Sequence, residues 1–432
     1  MSSPVPTAGP VPEPGAPSRQ RLILAGILLV TIFVAYFDRV NVSILMADPT
    51  FLAAMGIKGQ PVKIGLLMTT FLATYGLANI VLSPLGDYFG PRKAMCISIA
   101  LWGLSMIVGG LAGSFAVMIA ARIMLGVGEG MHYPMQSIFV KKWFPPRERG
   151  KANAVWLTGQ SLAPAAAMPF FAWIVAAAGW HSSFFACAVV GLVPLYLLWF
   201  HTADSPREHK LVNALELKHI EDGLAEENKG LSAAAQTSFW AGARLFVLDY
   251  RFWILVLWTC CMSAIYWGLF SWLPSYLKTA RGFSWSVMGA LSSLPFLLGI
   301  VAKLAGGYLS DRFDRRAVFC SIAMLGAAIG IYFGATASNN YTAALLIALG
   351  MGVLSFGTPA AWSLMQRFAS GRSISTAAGL MNGIAIGFGA AAPLAIGYFI
   401  SLTGGYTGGL YVLVTMAVVG LLASLVLTVQ KY

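Results

Sequence analysis

Twelve long apolar runs separated by short polar turns dominate the chain. They fall at about 22–46, 64–86, 94–113, 116–139, 152–176, 183–201, 251–277, 285–309, 317–336, 341–366, 375–400 and 407–429. Each has the roughly 18 or more residues that a bilayer-crossing helix needs. The pattern predicts an all-α membrane protein with twelve transmembrane helices. Composition agrees: 58% of residues are hydrophobic and 10% charged, against about 25% charged in a soluble domain.

The pattern breaks between the sixth and seventh runs. Residues 202–250 carry charges of both signs, with Leu217, Ile220 and Leu224 at helical spacing. This reads either as an amphipathic helix lying on the protein or membrane surface, or as a plain solvated tether. Residues 1–18 are rich in Pro, Ala and Ser without periodicity, which predicts a disordered tail. The domain plan is therefore a tail over 1–20, a six-helix bundle over 21–201, a linker over 202–250 and a second bundle over 251–432. The tail lacks the basic start and apolar core of a signal peptide.

The net charge of +12 invites a nucleic-acid partner, and its distribution removes one. Lys and Arg gather in alternate loops: Arg92 and Lys93; Lys141, Lys142, Arg147, Arg149 and Lys151; Arg312, Arg315 and Arg316; Arg367 and Arg372. The intervening loops hold only Lys58, Lys63, Lys278 and Arg281. This asymmetry places the basic loops, the linker and both termini in the cytoplasm. The five cysteines, Cys96, Cys187, Cys260, Cys261 and Cys320, fall inside predicted spans and form no disulfide framework or metal motif. With no nucleophile motif, phosphate loop or metal cluster either, neither an enzyme nor a cofactor is expected.

Charges inside the spans are few: Asp38, Arg39, Arg122, Glu129 and Lys303. Each is expensive at membrane depth and marks a functional candidate. Asp38 and Arg39 are adjacent, so they leave the helix about 100° apart and each needs a partner elsewhere. Arg122 and Glu129 lie on one face of the fourth span, about two turns apart. Between them, Gly126, Gly128 and Gly130 allow a neighbouring backbone to come close. A structural ion pair locking two helices is the plainer alternative. His132, one turn beyond Glu129, either titrates or only hydrogen-bonds. Lys303 either snorkels to the membrane face or lines a cavity.

The two halves also repeat. GDYFGPRK follows the second span and SDRFDRRA follows the eighth, the equivalent place in the second half. Repeats of this kind place a substrate site near the midplane at their interface. The paired turns resemble the loop signature of the major facilitator superfamily, carried by Asp87, Gly90, Arg92 and Lys93 in the first copy. The second copy carries it at Gly307, Asp311, Arg312, Arg315 and Arg316. The first copy departs at Ser83 and Tyr88, and the second at Asp314.

YFDRVNVS, RIMLGVGEGMHYP and WFPPRERGKA resemble, more narrowly, the anion:cation symporter family of sugar-acid and sialin-type carriers. That resemblance implies two pseudo-repeated six-helix bundles and transport of a small organic anion with protons, by a monomer in a bacterial inner membrane. It implies proton coupling by Asp38 and Glu129, and substrate contacts from Arg39, Arg122, Tyr36, Tyr75, Gln160, Tyr266, Trp362 and Asn382. The loop residues Asp87, Gly90, Arg92, Gly307, Asp311 and Arg312 would latch one face closed.

A planar guanidinium suits a carboxylate. Carboxylates beside arginines argue against an exporter of cations or drugs. The resemblance implies a sugar acid (hexonate, hexuronate or aldarate) as the first expectation for the substrate. An aromatic or short-chain acid is the alternative, since the second half offers few polar side chains beside Tyr266, Trp267 and Trp362.

Overall fold

The computed structural model describes residues 17–430 apart from 83–87, 234–245, 314 and 369–373. Among these residues, eleven helices are long and apolar enough to cross a membrane. One of them, Pro146–His201, holds two crossings, because Gly179 breaks it at φ 77° and ψ 170°. Glycine adopts that φ without strain, which is why the turn sits there.

The crossings are span 1 (Gln20–Leu45), span 2 (Pro61–Leu82), span 3 (Pro91–Gly110), span 4 (Phe115–Trp143), and spans 5 and 6 on either side of Gly179. The second half has span 7 (Tyr250–Ser275), span 8 (Trp285–Phe313), span 9 (Arg316–Thr336), span 10 (Asn340–Phe368), span 11 (Ile374–Thr403) and span 12 (Tyr406–Val429). The hydrophobic pattern thus placed all twelve.

Local signals explain the ends. Pro91 and Pro146 open their helices, where a missing N–H costs nothing. Ser114 and Asn339 cap spans 4 and 10 through their side chains. These two spans are equivalent in the halves, and both are interrupted. Span 4 breaks at Met131, and span 10 passes through a 3-10 turn at Ser355–Gly357. Broken helices at matching places bracket a midplane site in transporters built from repeats.

Spans 1 and 7 are the most buried, so they form the centre. The halves meet along span 2 against span 11, span 5 against span 8, and span 1 against span 7. The tightest approaches lie at the face away from the basic loops. A Cβ at Gly65 would collide with the Pro393 carbonyl, and one at Gly397 with the Pro61 carbonyl. A Cβ at Gly289 would sit 2.8–2.9 Å from Ala172 and Pro169. Lipid supplies no hydrophobic drive between helices, so small residues that let backbones touch hold this seam.

The linker helix Ala214–Ala233 docks on the first half. Its Glu216 is fully buried and accepts hydrogen bonds from Ser18 Oγ, the backbone N–H groups of Gln20 and Arg21, and the Arg21 guanidinium at 3.0 Å. Arg21 also reaches Glu148 at 2.8 Å, and His219 meets the same carboxylate at 2.8 Å. The start of span 1 is therefore tied to the linker and to span 5. Residues 1–16 of the expected tail lie outside the described residues.

Candidate functional site

Arg39 projects from span 1 into the centre of the bundle, 2% exposed. Its Nε donates to Glu129 Oε2 of span 4 at 2.6 Å, and that carboxylate has no exposure at all. A charge pair in such a place is stable only when both partners stay. Four rings surround the guanidinium carbon: Tyr36 at 4.2 Å, Tyr75 at 4.6 Å, Phe71 at 5.3 Å and Trp267 at 5.8 Å. Trp267 belongs to span 7, so the cage spans both halves. Aromatic faces attract a cation without neutralising it. The guanidinium keeps its full positive charge inside the cage, balanced by Glu129.

Asp38 points the other way, as adjacency on a helix demands. Both its oxygens are buried without a hydrogen-bond partner of normal geometry, with the Cys187 thiol of span 6 beside it. Arg122 turns toward span 2: its Nε donates to the Leu67 carbonyl at 3.0 Å, and its guanidinium lies 4.7 Å from the centre of the Phe71 ring. Arg122 Nη1 and Glu129 Oε1 are buried without partners. Glu129 therefore pairs with Arg39 rather than with Arg122, its neighbour on span 4. The glycines between them do what their spacing suggested. A Cβ at Gly126 would strike Thr74 and one at Gly130 would strike Ala78, so span 4 lies directly on span 2.

His132 is buried with its ring edge-on to Trp102 at 5.2 Å. Its Nε2 accepts from the Gln136 amide at 2.9 Å, and the same amide reaches Thr31 Oγ1 at 3.0 Å. It is a packed, hydrogen-bonded group of the first half. Gln160 of span 5 is half-buried, with its side chain beside the Tyr133 hydroxyl. Tyr266 packs against Trp267 and Phe270 at the edge of the Arg39 cage. Trp362 and Asn382 are half-buried in the basic-loop halves of spans 10 and 11. Phe71, Tyr133 and Cys187 escaped the sequence reading, although Phe71 stands one helical turn before Tyr75 on the same face.

In the loops, Gly90 takes φ 82° and lies against the Asp204 carboxylate. Arg92 donates its backbone N–H to Asp204 at 2.8 Å and its guanidinium to the Trp199 carbonyl. Trp199 lies in span 6 and Asp204 just beyond it at the start of the linker, so this turn is held by the end of its own bundle and the linker. Gly307 lies beside Pro359, and Arg312 lies 6.0 Å from the Phe313 ring. Asp87 lies outside the described residues, as does the side chain of Asp311.

Two repeated bundles around a buried arginine–carboxylate pair define a membrane transporter. Residues 28–393 match the Major Facilitator Superfamily, and the chain belongs to it. It is 32% identical to the probable sulfoacetate transporter SauU of Cupriavidus necator over 94% of each chain. It is 28% identical to the probable galactarate/D-glucarate transporter GudP of Escherichia coli, over 94% of this chain and 92% of that one. The fold superposes on an inward-facing, occupied bacterial homolog of the human lysosomal transporter Spinster. The TM-score is 0.76 at 16% identity, over 96% and 98% of the two chains.

Proposed function

We propose that the protein imports a small organic anion together with protons by alternating access, with Arg39 as the anion site and Glu129 as its exchangeable counter-charge. The observation that carries this is the 2.6 Å Arg39–Glu129 pair, sealed inside an aromatic cage that draws on both halves. A proton on Glu129 releases its hold on Arg39, and an anion then takes the guanidinium in a bidentate grip. Asp38, buried without a hydrogen-bonded counter-group, takes a second proton. With charges balanced, the halves rock about the site. Substrate and protons leave on the basic-loop side, which the positive-inside rule assigns to the cytoplasm. The glycine seam closes the far face. Where protons outnumber the negative charges of the solute, each net positive charge carried inward gains about 2.3 kcal/mol per 100 mV of membrane potential.

Among organic anions, a sugar acid is the first reading, supported by relatives named for galactarate and glucarate. A short-chain acid is the second. The relative named for sulfoacetate supports it, as does the shortage of hydrogen-bonding side chains in the second half. The test is current from reconstituted protein on a solid-supported membrane, against sugar acids, short acids and aromatic acids, with and without a pH gradient. Current with one anion class that grows with inward proton force supports the proposal. Current with cations alone overturns it.

A further inference from the structure

We propose that Lys303 is a second anion anchor, so that the preferred solute carries two acidic groups, one held by Arg39 and the other by Lys303. This rests on the reading of Arg39 as the anion site. Lys303 lies within span 8, where the neighbouring Val301 and Leu304 are exposed on the outer surface at 66% and 73%. The lysine turns inward instead. Its Nζ crosses to the other half and donates to Ser161 Oγ of span 5 at 3.1 Å. That hydroxyl is its one hydrogen-bond partner among the described residues, and no carboxylate pairs with it. Asp311, the acid of its own span, stands roughly 12 Å further along the axis. A cation at membrane depth balanced by a single neutral hydroxyl is costly, and such a group is retained where an anion visits. The residue is also partly exposed. An inward-turned side chain at this depth is exposed to the space between the halves.

The spacing fits a dianion. Gly159 packs on Leu29 and Ile32 of span 1, which sets Ser161 near the level of Ile32. Arg39 stands about two turns further along that span, roughly 10 Å away along the axis. A six-carbon diacid holds its terminal carbons roughly 6 Å apart, and a charge-assisted hydrogen bond adds about 2.8 Å at each end. The ends of such a molecule reach both cations. A shorter dianion reaches both once the halves draw together around it. A solute with one acidic group leaves Lys303 unanswered.

The test compares apparent affinities in proteoliposomes for a six-carbon aldarate, sulfoacetate and a six-carbon aldonate, for wild type, K303Q, K303R and S161A. Wild type is expected to favour the dianions about tenfold. K303Q should collapse that ratio toward one, K303R should keep most of it, and S161A, which leaves the charge in place, should keep it too. In wild-type protein, the dianions and not the aldonate should slow amine acylation of Lys303, read by mass spectrometry. This measurement stands even if K303Q does not accumulate. Equal loss for all solutes in both K303Q and S161A, or acylation that ignores the dianions, would make the lysine a strut and sink the proposal. Wild type that carries the aldonate as well as the dianions overturns the second anchor and leaves the Arg39 reading intact. Wild type that carries no organic anion overturns both.

Discussion

The first half holds Asp38, Arg39, Arg122 and Glu129 inside its spans, whereas the second holds Lys303. Yet the two halves share their scaffold to the detail of a capped and interrupted fourth span. The common geometry gives two bodies that rock about one centre. The unequal chemistry divides the labour between them: ion pairing and proton exchange on one side, shape and aromatic surface on the other. If that division is real, substitutions in the first half should abolish coupling or transport. Those in the second should tune which solute is carried.

The strongest break is Arg39→Ala. It leaves Glu129 buried without its partner, a cost of about 2–5 kcal/mol, and it removes the anion site. Transport should fall on the order of 100-fold. Arg39→Lys keeps the charge but loses the planar fork, so it should restore stability more than transport. Normal uptake by Arg39→Ala in proteoliposomes would end the assignment.

Glu129→Gln sharpens the same comparison. Solute exchange across the membrane at equal concentrations should persist, while accumulation driven by a pH gradient should vanish. Asp38→Asn should weaken accumulation by a smaller factor. If Glu129→Gln still concentrates solute against a gradient, proton exchange belongs elsewhere.

The seam between the halves gives the next effect. Gly65→Val places side-chain atoms where the Pro393 backbone lies, so the face away from the basic loops should fail to close. The population should shift toward the opposite conformation. Cysteine accessibility from that face would then rise several-fold, and unchanged accessibility would show that the seam yields. On the second-half side, Trp267→Ala removes one wall of the cage and the part of the site contributed by span 7. A cation–π contact of about 0.5–2 kcal/mol predicts a change in apparent affinity of up to roughly 30-fold, with proton coupling preserved. Lost coupling in that variant would blur the division between halves.

Much of this was legible in the chain before any coordinates. The spans were, because unbroken apolar runs have few alternatives in a bilayer. The divergence of Asp38 and Arg39 was also legible, because a helix fixes the angle between adjacent side chains. The identity of the ion pair was not. Spacing along span 4 put Arg122 and Glu129 on one face. Whether either pairs across to span 1 or span 2 depends on the register between helices, which no single helix encodes. Arg122 went to the Leu67 carbonyl and Arg39 took the carboxylate. The aromatic cage was half visible, as Tyr36 and Tyr75. Trp267 was legible only as an aromatic surface of the second half, and Phe71 looked like an ordinary core residue, because their place around Arg39 arises only where four helices converge. Lys303 was ambiguous for the same reason, since its direction is set by Ser161 on another bundle.

The smallest expected effect lies outside the membrane, where the linker holds the first half. Burial pushes the Glu216 carboxyl up, but bonds from Ser18 Oγ and from the Arg21 and Gln20 N–H groups outweigh it and hold the group below its usual range. A carboxylate depressed in the folded state contributes stability that is present above its unfolded pKa, about 4.3. That contribution fades as pH falls through the lower folded value. Acidifying below about pH 4 should therefore loosen the contact between linker helix and span 1 while leaving the Arg39 cage intact. Glu216→Gln keeps the shape but not the charge, and it should lower stability by about 1–2 kcal/mol at pH 7. The difference between variant and wild type should hold down to about pH 4 and shrink below it, as the wild-type carboxylate protonates. Melting curves across that range decide it. A pH-independent difference would mean that Glu216 acts by packing alone, and that the linker is a tether with no electrostatic hold on the half that carries the charges.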